Sequence, residues 1–195
     1  VRFDHGVRSI AWEGERARAL QFADEAVELG RGDRLVLAVP AWVAKTLLPE
    51  LRAPSEYRSI FNAHFAFPAP KQLPKITGVI NATTEWLFAF ENRLSVTVSS
   101  ADRFNEAERE PMARHIWSEI SQIAGLDAEM PRWQIVKERR ATFAATPEQN
   151  ELRPRAETRW RNVFLAGDWT ATGLPATIEG AIRSGETAAK LAMAS

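Results

Sequence analysis

The stretch that decides the fold is NVFLAGDWTATGLPATIEGAIRSGETAAKLA, residues 162–192 of a 195-residue chain. It joins an apolar run that reads as a buried strand, an aspartate directly after Gly167, a short loop and a long helical pattern. Open α/β sheets hold ligands just beyond the carboxyl ends of their strands. Asp168 is therefore a candidate ligand contact, although an aspartate after a strand is also a common turn former.

The sequence around Pro175 predicts a helix start that can bind an anion. Proline suits the first helical position because its missing N–H would have no partner there. Leu174 has no side-chain oxygen to cap the helix, so the amides of residues 176–178 are expected to be free for a ligand. Small residues recur every four positions along this helix: Ala176, Gly180, Ser184, Ala188 and Ala192. Gly180 and Gly185 indicate a close neighbour, either the sheet or a ligand.

Upstream patterns predict both strands and helices. VRSIAW, ARALQF and RLVLAVP resemble consecutive antiparallel strands, and the third is apolar enough for a central sheet. WVAKTLLPEL predicts a short helix. WLFAF and LSVTVSS around the turn ENR predict a hairpin. Within residues 105–125, NEAERE predicts a short turn, and a main helix follows whose first turn contains Pro111 and which stops at Gly125. WQIVKERRATF predicts a strand and AATPEQNELRP a polar loop.

Aromatic side chains recur at strand spacing in the middle of the chain. Phe61 and Phe65 share one face of a predicted strand, and Trp86 and Phe88 share one face of the hairpin arm. The pattern predicts a sheet with one heavily aromatic face. That face suits a hydrocarbon substrate, and it equally suits an ordinary core packed against a helix.

Composition excludes several classes of function. Lys plus Arg equals Asp plus Glu, at 25 each, and the basic residues are scattered, so nucleic acid is not an expected partner. The chain has no cysteine, which excludes disulfides and thiolate chemistry. His5, His64 and His115 lie far apart in sequence, and no metal site is predicted. The most apolar window, residues 35–48, is too short to span a bilayer.

Residues 163–189 resemble the carboxyl-terminal FAD-binding signature of the flavin amine oxidase and phytoene desaturase superfamily. ERRATFAATPEQ and LVLAVPAWVA narrow the resemblance to squalene-associated FAD-dependent desaturases. The resemblance implies that Asp168 hydrogen-bonds the ribityl or phosphate region of FAD. It implies the cofactor-binding set Gly167, Asp168, Trp169, Pro175, Ala176 and Thr177. It assigns no catalytic acid or base.

The glycine-rich loop that such flavoproteins use for the pyrophosphate has no counterpart here. GRGD at residues 30–33 precedes a strand and lacks the third glycine, so it predicts a hairpin turn. We therefore expect the carboxyl-terminal portion of a longer flavoprotein, of mixed α/β (α+β) class. Residues 1–45 and 135–195 would form part of a Rossmann-like FAD domain. Residues 46–134 would form an antiparallel substrate domain with a packed helix.

The resemblance implies an FAD-dependent oxidoreductase that reductively removes the hydroxyl of a squalene-type isoprenoid, in squalene and hopanoid biosynthesis. Phe61, Phe65, Trp86 and Phe88 are the candidate substrate contacts. A carotenoid or phytoene desaturase, another amine oxidase-like enzyme, and a non-catalytic lipid-binding module remain alternatives. The 195 residues alone are expected to be inactive, to bind FAD weakly or not at all, and to dimerise through an open sheet edge. The expected location is the cytoplasm, with peripheral association at the inner membrane left open.

Overall fold

The computed structural model describes residues 1–195 and divides them into two compact units. The first unit comprises residues 1–56 and 143–195, and the second comprises residues 57–142. The sequence placed these boundaries at 45/46 and 134/135, and the structure moves both. Leu48 is buried and the Ser55 amide donates to Gln149 within the first unit, while residues 133–142 lie in the sheet of the second. That the units hold cofactor and substrate respectively stays a prediction.

The first unit contains two small sheets and three helices. Its elements are β1 (Ser9–Glu13), β2 (Arg16–Gln21), β3 (Ala26–Glu28), β4 (Leu35–Leu37), α1 (Ala41–Leu47), α3 (Pro147–Glu151), β10 (Val163–Leu165) and α4 (Ile178–Ala194). Strands β1, β2 and β3 form an antiparallel sheet in that order. Strands β4 and β10 form a separate parallel pair, and α4 packs against both of them.

Strand β4 is not part of the antiparallel sheet with β2 and β3, contrary to the prediction from the sequence. It pairs with β10 rather than with β3, so the GRGD segment is a turn but not a hairpin. In that turn the Asp33 carboxylate accepts from the Gly30 amide at 2.7 Å. The buried side chain of Asn162 accepts from the Ala17 amide at 2.9 Å and donates to the Ala17 carbonyl at 3.0 Å. Asn162 thereby connects β2 to the start of β10.

The second unit is a five-stranded sheet with one long helix. Its elements are β5 (Tyr57–Phe65), β6 (Ile76–Gly78), β7 (Trp86–Phe90), β8 (Arg93–Val98), a 3-10 turn (Ala101–Phe104), α2 (Arg109–Ala124) and β9 (Trp133–Phe143). The strand order is β6-β7-β8-β5-β9. The predicted hairpin is confirmed by the antiparallel pairing of β7 with β8. Helix α2 ends at Gly125, whose φ of 62° is the left-handed conformation expected of a C-terminal glycine.

The segment predicted to be only a polar loop contains the short helix α3. The Thr146 side chain caps this helix by accepting a hydrogen bond from the Gln149 amide at 3.3 Å. None of the helices combines the length and apolarity that crossing a bilayer requires.

Candidate functional site

The candidate site begins where β10 ends. Gly167 has a φ of 146°, a conformation that favours glycine. Its amide donates to the Ser184 hydroxyl of α4 at 2.7 Å, so the start of the loop is tied to the helix. Asp168 follows directly and is partly buried. The end of β10, Gly167, Asp168 and helix α4 therefore lie close together in the first unit.

Trp169 supports this corner from inside. Its side chain is 3% exposed, and its indole N–H donates to the Val39 carbonyl at 2.9 Å. The loop after β10 is thus connected to the end of β4. Because the indole is enclosed by the protein, a contact of Trp169 with a cofactor would have to use its backbone, and that role stays a prediction.

Arg153 holds the same loop from the other side. Its Nε donates to the Thr170 carbonyl at 2.9 Å, and one terminal nitrogen donates to the Asp168 carbonyl at 3.1 Å and the Thr172 hydroxyl at 3.0 Å. Sequence reasoning missed this residue because it lies in a segment read only as a polar loop. No local pattern marks an arginine whose partners are 15 to 19 positions away.

Burial dominates the electrostatics of Asp168. Loss of water raises the pKa of its carboxyl group, while hydrogen bonds from the Asp168 and Trp169 amides and the charge of Arg153 act to lower it. Burial lowers the pKa of the Arg153 guanidinium, and the negative charge of Asp168 opposes that change. Asp168 consequently takes up a proton more readily than a surface aspartate does.

Helix α4 begins later than the sequence predicted. Its first residue is Ile178, three positions after Pro175, and Thr177 is its N-cap. The Thr177 hydroxyl accepts from the Gly180 amide at 3.1 Å, so the prediction of an uncapped helix was wrong. Ala176 lies outside the helix. The amides of Ile178 and Glu179 have no partner within the chain and remain available at the helix start.

The small residues of α4 serve internal packing. A β-carbon on Gly180 would lie 3.0 Å from the Pro175 carbonyl oxygen and 3.4 Å from the Thr177 hydroxyl, so its close neighbour is the preceding loop. Ser184 and Ala188 are buried. Gly185 differs from these, since no other group lies within 4 Å of a β-carbon placed there.

The aromatic residues of the second unit do not share one face, contrary to the prediction. Phe61 and Phe65 are 1% and 0% exposed in the core beneath α2, where the Phe65 ring lies 5.2 Å from that of Trp117. Trp86 is 47% exposed, and Phe88 is partly exposed. Strand register explains the division. Ala63, Val96 and Leu87 align on the buried face, whereas His64, Ser95 and Phe88 align on the other. We call this second face the outer face.

The loop after β10 fits a nucleotide cofactor of the flavin type. Gly167 presents no side chain, Asp168 offers carboxylate oxygens to hydroxyl groups, and the Ile178 and Glu179 amides can donate to phosphate or ring oxygens. Of the six predicted cofactor residues, the structure brings Gly167, Asp168 and Trp169 together at the strand end. It places Pro175, Ala176 and Thr177 in the turn that enters α4.

Comparison with known families then decides the family of the chain. Residues 1–193 match the model of the flavin-containing amine oxidoreductases. The chain belongs to this family. The resemblance to the flavin amine oxidase superfamily is thereby confirmed, and FAD is the cofactor that the family supports for the full-length protein.

Two curated relatives align with nearly all of the chain. A hydroxysqualene dehydroxylase of Rhodopseudomonas palustris is 58% identical over 195 residues, which are 100% of this chain and 47% of the relative. A hydroxysqualene dehydroxylase of Zymomonas mobilis is 48% identical over 193 residues, covering 99% of this chain and 47% of the relative. The chain therefore spans about half the length of these curated relatives.

A solved structure agrees with the fold. A putative protoporphyrinogen oxidase from Exiguobacterium sp. 255-15 aligns with a TM-score of 0.74 at 15% identity, covering 100% of this chain and 48% of the other. At this level of identity the similarity concerns the fold alone. It confirms the mixed α/β class expected from the sequence.

Proposed function

We propose that the full-length protein is an FAD-dependent oxidoreductase that converts hydroxysqualene to squalene, and that this chain is its carboxyl-terminal part. The observation that carries the proposal is the 58% identity, over the whole chain, to a hydroxysqualene dehydroxylase. The similarity of residues 163–189 to the carboxyl-terminal flavin signature supports the position within the longer protein. An upstream strand–GxGxxG–helix sequence in the same gene would agree with that position.

In this proposal the first unit orients the cofactor. When bound, reduced FAD supplies the hydride that replaces the leaving hydroxyl, while one proton completes the water that departs. Asp168 accepts a hydrogen bond from the ribityl chain. The amides of Ile178 and Glu179 donate to phosphate or flavin oxygens, and Gly167 lets the cofactor approach the backbone.

The second unit offers its outer face to the substrate. Trp86 and Phe88 present aromatic surface there, and Ile76 lies opposite Phe88 in the β6–β7 pair. Apolar rings suit a squalene-type chain, and ring faces also attract the positive charge that develops as a hydroxyl departs. Phe61 and Phe65, being buried, would shape the sheet without contacting the substrate.

Substrate turnover by the full-length protein tests the proposal. Anaerobic protein with reduced FAD is mixed with hydroxysqualene, and the organic extract is analysed for squalene while the oxidised flavin absorbance is followed. Squalene formed in equal amount to oxidised flavin supports the reaction. Desaturation of phytoene with no squalene formation would favour the desaturase alternative. Binding of isoprenoid with no flavin would favour the lipid-binding module.

A further inference from the structure

An open cavity of about 490 Å³ lies at one end of the sheet in the second unit. It is formed by the end of β5, the turn between β7 and β8, and the segment that enters β9. Its polar lining residues are His64, Asn92, Arg93, Arg132 and Gln134. The Ala66 amide donates to the Arg132 carbonyl at 2.9 Å, which fixes the spacing between two of these segments.

The cavity is lined by positively charged side chains that have no acidic partner. Arg93 and Arg132 are exposed and form no ion pair, and no carboxylate lines the cavity. Elsewhere in the same unit, by contrast, Arg139 pairs with Glu106 at 3.3 Å. The Arg93 guanidinium lies 4.5 Å from the centre of the Phe90 ring, so one face of it is supported by apolar surface. Two unpaired guanidinium groups beside one cavity are suited to an anion with several oxygens.

His64 adds a hydrogen-bonding group to the cavity beside the two arginines. Its Nδ1 lies 2.9 Å from the Ser95 hydroxyl, which leaves Nε2 as the ring nitrogen available to a ligand. Burial and the nearby charge of Arg93 both lower the pKa of His64. A bound anion would oppose this lowering of the pKa, because its negative charge would stabilise the protonated imidazole.

We propose that this cavity binds a phosphate group, with the guanidinium groups of Arg93 and Arg132 pairing with its oxygens and His64 Nε2 and the Asn92 amide completing the contacts. The volume exceeds that of a single phosphate and lies within the range of small-molecule sites, which favours a diphosphate or a phospholipid headgroup. Both ligands present the same chemistry to these residues. The residues that line the cavity belong to the second unit, whereas the proposed flavin contacts belong to the first.

Calorimetry with inorganic pyrophosphate is the first test. The full-length protein is saturated with FAD so that the cofactor site cannot take up the probe, and ionic strength is held constant. We expect saturable binding that the double variant Arg93→Gln/Arg132→Gln weakens at least tenfold. Arg103→Gln is the matched control, because Arg103 lies 4.4 Å from the Phe104 ring in the same unit but outside the cavity. Flavin content and Tm report that each variant is folded.

The imidazole of His64 gives a second, local readout. In a ¹³C-histidine NMR titration, with the signal assigned by its loss in His64→Asn, pyrophosphate should raise the pKa of His64. The imidazole signals of His5 and His115, which lie outside the cavity, should not move when pyrophosphate is added. Absence of binding at millimolar pyrophosphate, equal affinity in the double variant, or an unchanged His64 titration would each overturn the proposal.

Vesicles identify the source of the phosphate. Phosphatidylcholine vesicles with and without phosphatidylglycerol are sedimented with wild type and with the double variant. Arg-dependent sedimentation only with phosphatidylglycerol, reversed by pyrophosphate, identifies a lipid headgroup. Pyrophosphate binding without sedimentation identifies a free phosphate compound. Sedimentation that the double variant leaves unchanged, together with no pyrophosphate binding, would contradict the site.

Discussion

The indole ring of Trp169 covers the α-carbon of Gly167. A β-carbon at Gly167 would lie 2.7 Å from the indole Cδ1, closer than real β-carbons approach other atoms. The ring is itself held by its hydrogen bond to the Val39 carbonyl, so it cannot move aside without breaking that bond. Gly167 is therefore required for two reasons, its φ of 146° and the ring above it.

Gly167→Ala should destabilise the protein and reduce its flavin content. The backbone strain costs about 1–3 kcal/mol, and the collision with the ring adds to it. The measurement is the free energy of unfolding together with bound FAD per protein. Gly185→Ala is the control in the same segment, since its β-carbon meets nothing within 4 Å and it should stabilise α4 by about 1 kcal/mol. Equal stability of Gly167→Ala and wild type would contradict the geometry.

Arg153→Lys should weaken FAD binding about tenfold while the charge is retained. Lysine cannot reproduce the planar fork that reaches the carbonyls of Thr170 and Asp168 and the hydroxyl of Thr172. The loop would then be less well ordered before the cofactor binds. FAD affinity by fluorescence quenching is the measurement, with Arg155→Lys as a nearby control. If both variants bind FAD equally well, Arg153 does not organise the site.

Asp168→Ala should weaken FAD binding roughly tenfold to a hundredfold. The variant removes one charge-assisted hydrogen bond to the cofactor, worth about 1.5 to 3 kcal/mol. FAD affinity and melting of the flavin-free protein are measured side by side. An unchanged affinity with much earlier melting would show that Asp168 is only a structural turn residue.

Asp168 should also make stability and cofactor binding depend on pH. Burial raises its pKa, so the folded protein holds this proton more tightly than the unfolded chain does. Its ionisation therefore costs folding free energy progressively as pH rises from the ordinary aspartate range through the raised pKa. Flavin-free Asp168→Asn should gain stability relative to wild type across that rise. FAD affinity of wild type should increase over the same range, since the carboxylate is the better acceptor, and that of Asp168→Asn should stay flat.

Trp86→Ala and Phe61→Ala should have different effects on kinetics and stability, because the two residues lie on opposite faces of the sheet in the second unit. Trp86 is 47% exposed on the outer face, so its truncation should raise KM for the isoprenoid with little change in Tm. Phe61 is 1% exposed, and its truncation should cost about 3–5 kcal/mol of stability. Steady-state kinetics and thermal unfolding of both variants are compared. Unaltered kinetics in Trp86→Ala would argue against the outer face as the substrate contact.

The 195-residue chain on its own should associate into dimers or larger oligomers. Strand β4 is the edge of the two-stranded β4–β10 pair, and its Val36 is 40% exposed, so an apolar edge is available to a second copy. Light scattering over a range of concentrations measures the mass. Val36→Lys should shift the equilibrium toward monomer. A monomer at high concentration for both proteins would contradict the prediction.

Local signals in the sequence were sufficient for much of the fold, including the loop that carries the candidate cofactor contacts. The apolar run before Gly167 predicted β10, the ENR turn between alternating strands predicted the β7–β8 hairpin, and Gly125 predicted the end of α2. Each of these depends on residues close together in the chain, where periodicity and turn chemistry act directly. Asp168 at the end of a buried strand was identifiable for the same reason.

Tertiary structure alone decided the features that depend on distant partners. The parallel pairing of β4 with β10 and the reach of Arg153 into the loop join segments that no local window relates. Strand register, rather than the spacing of aromatics, assigned Phe61 to the core and Phe88 to the outer face, because neighbouring strands determine which side of a sheet is covered. The cavity that contains Arg93 and Arg132 likewise exists only once three separate segments meet, since guanidinium groups come together through backbone pairing and not through their order in the sequence.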